Sequence, residues 1–190
     1  FPAKLVHSHI QDLIDSRVER IFMPFVVHER QDGGQNSYNC PIVTGYAEVV
    51  KGVQGGSVPI DSPTFSFKDK KLLYRQCCEY LATLGVSDKA ASRAFSLAVS
   101  AQDAYAKDIA AYDEYVLRKA REQGAMAIML AGRPYHTDML IQHKVSDMLA
   151  DMGVYVLTDD IVRGRKVAVN DTHYLPQWAY PNRILEAAEW

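Results

Sequence analysis

The sequence predicts a three-layer α/β domain with a small, mainly parallel sheet and an appended long helical segment. Three observations carry that expectation. Ala125–Ala131 (AMAIMLA), a helical stretch over Asp138–Met152 closed by Gly153, and Val154–Thr158 (VYVLT) read as strand, helix, strand with short loops. Such a βαβ unit implies parallel pairing and a right-handed crossover. Asp88–Gln123 holds neither Pro nor Gly, and Ala98, Ala101, Tyr105, Ile109, Tyr112 and Val116 recur at steps of three and four, the mark of a long amphipathic helix. Composition agrees: 48% hydrophobic and 23% charged residues over 190 positions suit an ordinary globular domain.

The other elements follow in order. Leu5, Val6, Ile10, Leu13, Ile14 and Val18 place apolar residues on one face of a helix over residues 3–18. Ile21–Val27 (IFMPFVV) has the length of a buried strand, although Pro24 removes a ladder donor. His28–Asn39 is a polar loop, and Cys40-Pro41 opens a helix through Val50 with Pro41 in its first turn. Lys51–Ser57 is a Gly-rich turn before a short strand at Val58–Ile60. Lys68–Leu84 is an amphipathic helix capped by Gly85, and Ser87 starts the long helix, which as one piece would span about 50 Å and otherwise breaks in two. The tail from Asp159 is irregular and aromatic, with Tyr174, Trp178 and Tyr180 expected to pack on the α/β body or on a neighbouring domain, and a short helix over Pro181–Ala188. The expected organisation is thus a single domain over 1–190: helical segment about 68–123, βαβ unit about 125–158, aromatic tail 159–190. A start at Phe1 and an abrupt end at Trp190 suggest a piece of a longer polypeptide.

Several function classes are excluded as expectations. A formal net charge of −2 leaves no electrostatic footprint for nucleic acid or an anionic membrane. No apolar run approaches the roughly 20 residues of a membrane span. Three Cys form no secreted disulfide framework, so a reducing cytoplasm is the simplest setting. The G-x-G-x-x-G and Walker-type cradles are absent, as are C-x-x-C and G-x-S-x-G.

Two junctions hold chemistry-bearing residues. Gly132-Arg133-Pro134-Tyr135-His136 follows a strand and precedes a helix, where parallel sheets bind ligands. Arg133 offers a forked donor for an anion, and His136 a titratable one; the other reading pairs Arg133 with a carboxylate such as Asp138. Asn39-Cys40-Pro41 sets a thiol at a loop-to-helix junction, where it is either a metal or redox thiolate or an inert free Cys. Cys77 and Cys78 fall within a helix and read as partly core.

Phe1-Pro2-Ala3-Lys4-Leu5-Val6-His7, Tyr38-Asn39-Cys40-Pro41-Ile42-Val43-Thr44 and Gly132-Arg133-Pro134-Tyr135-His136-Thr137-Asp138 occur together and in order. That set resembles the module following the activase domains in large 2-hydroxyacyl-CoA dehydratase activator-related proteins, multidomain proteins largely of anaerobic bacteria. The resemblance spans essentially the whole chain. It implies a Rossmann-like α/β fold and an iron–sulfur, dehydratase-like redox module, inactive in isolation. The other role open to it is non-catalytic docking between activase (ATPase) domains and a dehydratase-like partner. Implied too are an acyl-CoA ligand and a [4Fe–4S] cluster in the full-length protein, with Cys40 as a ligand and none bound by these residues alone. A second ligand would lie upstream of Phe1, so Cys40 is expected to face Phe1 and the 3–7 segment. Lys4 of the first motif joins Arg133, Tyr135 and His136 as ligand-binding candidates.

Overall fold

In a computed structural model the described residues are 2–29, 37–54, 56, 58–163, 165, 167–169 and 177–190. The chain is α/β, helix-rich, with small sheets whose strand pairs are all parallel among the described residues. It divides into two compact units, Phe1–Phe95 with Gln177–Ala179, and Ser96–Pro176 with Tyr180–Trp190.

The first unit opens with α1 (Pro2–Asp15), close to the predicted helix; Arg17, at φ 57°, ends it in the left-handed region. The apolar run that follows is two strands, β1 (Ile21–Phe22) and β2 (Phe25–His28), with Pro24 in the gap. Their partners β3 (Ile60–Asp61) and β4 (Thr64–Ser66) are split in the same way around Pro63. Pro63 lacks the N–H that would bond Met23 O, which interrupts the ladder, whereas Pro24 lies between two residues that donate to the partner and so faces the outer edge. The backbone bonds Met23 N–H to Asp61 O (2.8 Å) and Phe25 N–H to Pro63 O (2.9 Å) carry the pairing across the gap. The crossover consists of α2 (Pro41–Thr44) and α3 (Tyr46–Gln54) in place of one helix from Pro41 to Val50. The short helices are divided at Gly45, where an added Cβ would lie 3.2 Å from the Pro41 carbonyl. Residues 21–66 therefore form a second parallel strand–helix–strand unit. The sequence showed only its first strand and an offset version of β3; β4 was missed because Thr64–Ser66 has no apolar run.

The core of this unit gathers Ile10 of α1, Ile21 of β1 and Val50 of α3, with Val6, Ile14, Val58 and Ile60 packed against them. Helix α4 (Lys70–Thr83) packs on β4. The Asp69 carboxylate caps it by accepting the Leu72 N–H at 2.7 Å. Gly85, at φ 77°, closes it as predicted, with Val86 N–H bonded to Leu81 O at 3.1 Å.

Helix α5 (Asp88–Glu122) is a single piece of 35 residues that passes from the first unit into the second. It is polar enough that no helix among the described residues qualifies as a membrane span. Gly124 ends it at φ 60°.

In the second unit, β5 (Ala127–Leu130) and β6 (Tyr155–Thr158) pair in parallel, Ala127 opposite Tyr155 through Leu130 opposite Thr158, as the βαβ reading requires. The expectation of a buried strand at 125–131 is corrected. With one pairing partner, Ala127 is exposed and the other three residues of β5 are only half-buried. The expected helix over 138–152 is corrected too. A 3-10 turn covers Pro134–Thr137, and α6 starts only at Val145 and runs to Asp151. Asp138 does start a turn: its backbone is extended, its carboxylate accepts the Leu140 and Ile141 N–H groups at 2.9 and 3.0 Å, and its C=O accepts the Gln142 N–H at 3.0 Å, the pattern of an N-cap. That turn is broken at His143 and Lys144, whose φ of 56° and 57° lie in the left-handed region.

The core of the second unit gathers Leu157, Ile161, Val162 and Ala187, with Val116 and Leu117 of α5 packed against it. Ala187 belongs to α7 (Ala179–Glu189), near the predicted position. Beside this core the Arg183 guanidinium bonds the Asp159 carboxylate at 2.5 Å, both side chains being less than 10% exposed. Asp160 binds Arg163 at 2.7 Å, and Arg165 binds Glu114 at 2.5 Å.

Asp113 of α5 is buried and its Oδ2 has no hydrogen-bond partner among the described residues. Burial, and secondarily the charge of Asp160, push its carboxyl up to about 6, against a smaller opposing pull from Arg165. A carboxyl held above its unfolded value stabilises the fold while protonated, and that contribution is lost as pH rises through about 6. Asp113→Asn, which stays neutral, should therefore gain about 1–3 kcal/mol over the wild-type chain at pH 8 relative to pH 4. Urea unfolding of both proteins at the two pH values measures this; equal differences at both would contradict it.

Candidate functional site

The motif Tyr38-Asn39-Cys40-Pro41 builds the wall of an apolar pocket in the first unit. It is held there by backbone bonds on two sides. Towards β2, Asn39 N–H donates to Val27 O at 2.9 Å, and the Asn39 side-chain amide donates to Val26 O at 3.2 Å. Thr44 Oγ1 adds a bond to Cys40 O at 3.0 Å. On the other side Tyr38 N–H donates to Gln177 O at 3.1 Å, and Ala179 N–H to Tyr38 O at 2.9 Å. Tyr38 thus pairs antiparallel with His28 and parallel with Trp178. The part of the aromatic tail that is described packs as predicted: Trp178 is half-buried against the first unit, and Tyr180 lies under the Arg183 guanidinium at 5.1 Å. Tyr174 lies outside the described residues.

The pocket encloses about 290 Å³ between Phe25, Val27, Tyr38, Pro41, Thr44 and Trp178, with Asn39 and Gln177 adding polar groups. Ligand sites are typically concave, mostly apolar and marked by a few polar groups. The Asn39 Oδ1 is a buried acceptor with no donor among the described residues. His28 stacks on Tyr38 with ring centroids 4.2 Å apart, and its Nδ1 is 3.0 Å from Ser66 Oγ. Burial, helped by the charge of Lys68, lowers the His28 pKa and favours the neutral ring.

Cys40 sits between two residues that line this pocket. It is half-buried at the N-cap of α2, the loop-to-helix junction the sequence predicted, though that helix is a single turn. Phe1, which Cys40 was expected to face, lies outside the described residues. Lys4 is exposed on α1 and does not line the pocket. Cys77 and Cys78 are neighbours on α4; burial raises the Cys77 thiol pKa and keeps it protonated.

Arg133, Tyr135 and His136 belong to the second unit, at the carboxyl end of β5. Arg133 is exposed and makes no ion pair among the described residues. Asp138 is occupied by backbone N–H groups, so the Arg133–Asp138 pairing does not form. The helix N-terminus expected beside Arg133 is also missing, since α6 begins twelve residues further on. A tight turn stands in its place. Arg133 N–H donates to His136 Nδ1 at 3.1 Å, His136 N–H returns a bond to Arg133 O at 2.8 Å, and the Tyr135 and His136 rings meet edge-on at 4.5 Å. This bond places the neutral ring's proton on Nε2, which is left for a ligand or water. Only glycine fits at 132, because a Cβ there would stand 2.6 Å from His136 Nδ1. Gly132→Ala should therefore expel the imidazole, accelerate amide exchange at Arg133 and cost about 1 kcal/mol. Unchanged exchange at that amide would refute the close packing.

The residues that sequence reasoning missed are Phe25, Val27 and Trp178. No local pattern announces them, since backbone pairing over 140 positions brings Trp178 to Tyr38. No curated protein and no solved structure matches the chain. The CoA enzyme activase uncharacterised domain (DUF2229) matches residues 1–162, which include the Cys40 junction and the Arg133 turn. With most of its length matched, this chain belongs to that CoA enzyme activase domain family.

Proposed function

We propose that the chain is the substrate-side, dehydratase-like module of a CoA enzyme activase system, and that its pocket takes the acyl end of a CoA thioester. The observation that carries this reading is the aromatic-walled pocket beside the Cys40 thiol, in a chain of a CoA-related family. Phe25, Tyr38 and Trp178 offer apolar surface to an acyl chain, and the Asn39 Oδ1 can accept one hydrogen bond from a hydroxyl on it.

The implied [4Fe–4S] cluster does not fit the donors described. Such a cluster takes about four ligands. Among the described residues no three His, Cys, Asp or Glu side chains are grouped so that they could hold a metal ion. Cys77 and Cys78 lie on α4, and Cys40 alone supplies one sulfur. The proposed role of these residues is therefore binding and positioning of the acyl group, with no electron-transfer step assigned to them.

A docking role between activase domains and a dehydratase-like partner is the second reading. It is favoured by the apolar residues Met139, Leu140, Met148 and Met152, each more than half exposed. Methionine-rich surfaces adapt readily to protein partners.

Fluorescence separates the two readings. In a Trp190→Phe background, a short-chain 2-hydroxyacyl-CoA should produce a saturable change in Trp178 emission. Val27→Phe, which fills the pocket, should weaken binding about tenfold or more, near 1.4 kcal/mol. Equal binding of free CoA and the thioester would sink the acyl-site reading. Failure to bind any thioester, together with complex formation with the activase domains, would favour docking.

A further inference from the structure

The second unit carries a separate groove of about 450 Å³ along α5, well within the size of small-molecule sites. Asp103, Ala106, Lys107, Ala110, Ala111 and Glu114 recur at three- and four-residue steps, so they share one stripe of the helix. The three alanines make a flat apolar floor. Arg163 and Arg165 form the facing wall.

The donors in this groove are not all used. Lys107 is exposed and makes no ion pair among the described residues. Arg165 gives one terminal N–H to Glu114 and lies over the Trp190 ring at 5.4 Å. Its Nε is enclosed and has no acceptor among the described residues, whereas the side chain as a whole is part-exposed at the groove wall and can meet a ligand there. Glu114 is neutralised by Arg165 and does not oppose an incoming anion on its own.

We propose that this groove binds a small phosphorylated molecule, its phosphate received by the Arg165 guanidinium and the Lys107 ammonium and its flat apolar body laid on Ala106, Ala110 and Ala111. A phosphate suits the site because its oxygens can engage an arginine fork and an ammonium together, through charge-assisted bonds. A planar body suits the floor because no side chain longer than a methyl projects from those three positions. The site is independent of the acyl pocket, which belongs to the first unit.

Trp190 reports on Arg165, and the chain has only two tryptophans. In a Trp178→Phe background, the full chain is titrated with phenyl phosphate and with inorganic phosphate, following Trp190 emission and the heat of binding by calorimetry. The expected result is saturable binding of both, with phenyl phosphate about tenfold tighter. Lys107→Met should weaken both about fivefold or more at an unchanged Tm, since Lys107 is exposed and unpaired. Arg165→Lys should weaken them further by removing the fork. No heat and no emission change up to about 10 mM of either probe would overturn the proposal. So would equal affinity for the two probes, which removes the floor's role, or undiminished binding to Lys107→Met.

Discussion

The first unit depends on how the backbone of Tyr38 is satisfied. Its N–H and C=O are both taken by the 177–179 segment, while Asn39 beside it is taken by β2. A hydrogen bond of this kind contributes about 0.5–1.5 kcal/mol net. These bonds therefore pin Tyr38 and Asn39 and draw a distant stretch of chain against them. Once the backbones are paired, the His28 and Tyr38 rings stack and the Trp178 ring closes one side of the pocket. The pocket follows from backbone pairing; no cluster of apolar residues in the sequence builds it.

The sheets around this point are unusually short, and two-stranded parallel ribbons are marginal by themselves. Pro63 shortens the ribbon of the first unit further by one donor. Helices make up the difference. α1 and α3 bury Ile10 and Val50 against Ile21, and α4 lies on β4, so the ribbon is held by apolar burial more than by its own ladder. Tyr80 adds a polar tie: its hydroxyl and the Arg20 guanidinium both bond the Asp61 carboxylate, at 2.9 and 2.8 Å.

The second unit follows a different economy. Its apolar core is small, and charged side chains share the interior with it. The Arg183–Asp159 pair forfeits hydration, which its short charge-assisted bond offsets, and removing one partner alone typically destabilises by about 3–5 kcal/mol. Asp113 is the member of this group left without a bond at Oδ2, and burial, with the nearby Asp160 charge, raises its pKa. Ionic groups of this kind fix the geometry of the segment after β6 and bring Arg163 and Arg165 to the face of α5 that carries the alanine stripe.

Much of this was legible in the sequence. Helix α5 could be read because 35 residues without Pro or Gly keep one period, and a period is a local property. Gly85, Gly124 and Gly153 marked chain reversals correctly, since each needs a positive φ that glycine adopts at little cost. The β5–β6 pairing was legible because a short apolar run, a connecting segment and a second run leave few topologies open. The Cys40 junction was legible from Pro41, which fits the first turn of a helix. Tertiary structure decided the rest. Whether β5 would be buried depended on how many strands joined it. The start of α6 turned on His143 and Lys144, whose left-handed backbone breaks the turn that Asp138 caps. The assignment of Trp178 to the pocket rested on hydrogen bonds between residues 139 and 141 positions apart. Local patterns reflect the conformational preferences of neighbouring residues, whereas a pocket wall is set by which distant backbone donors and acceptors meet, and a single sequence does not show that pairing.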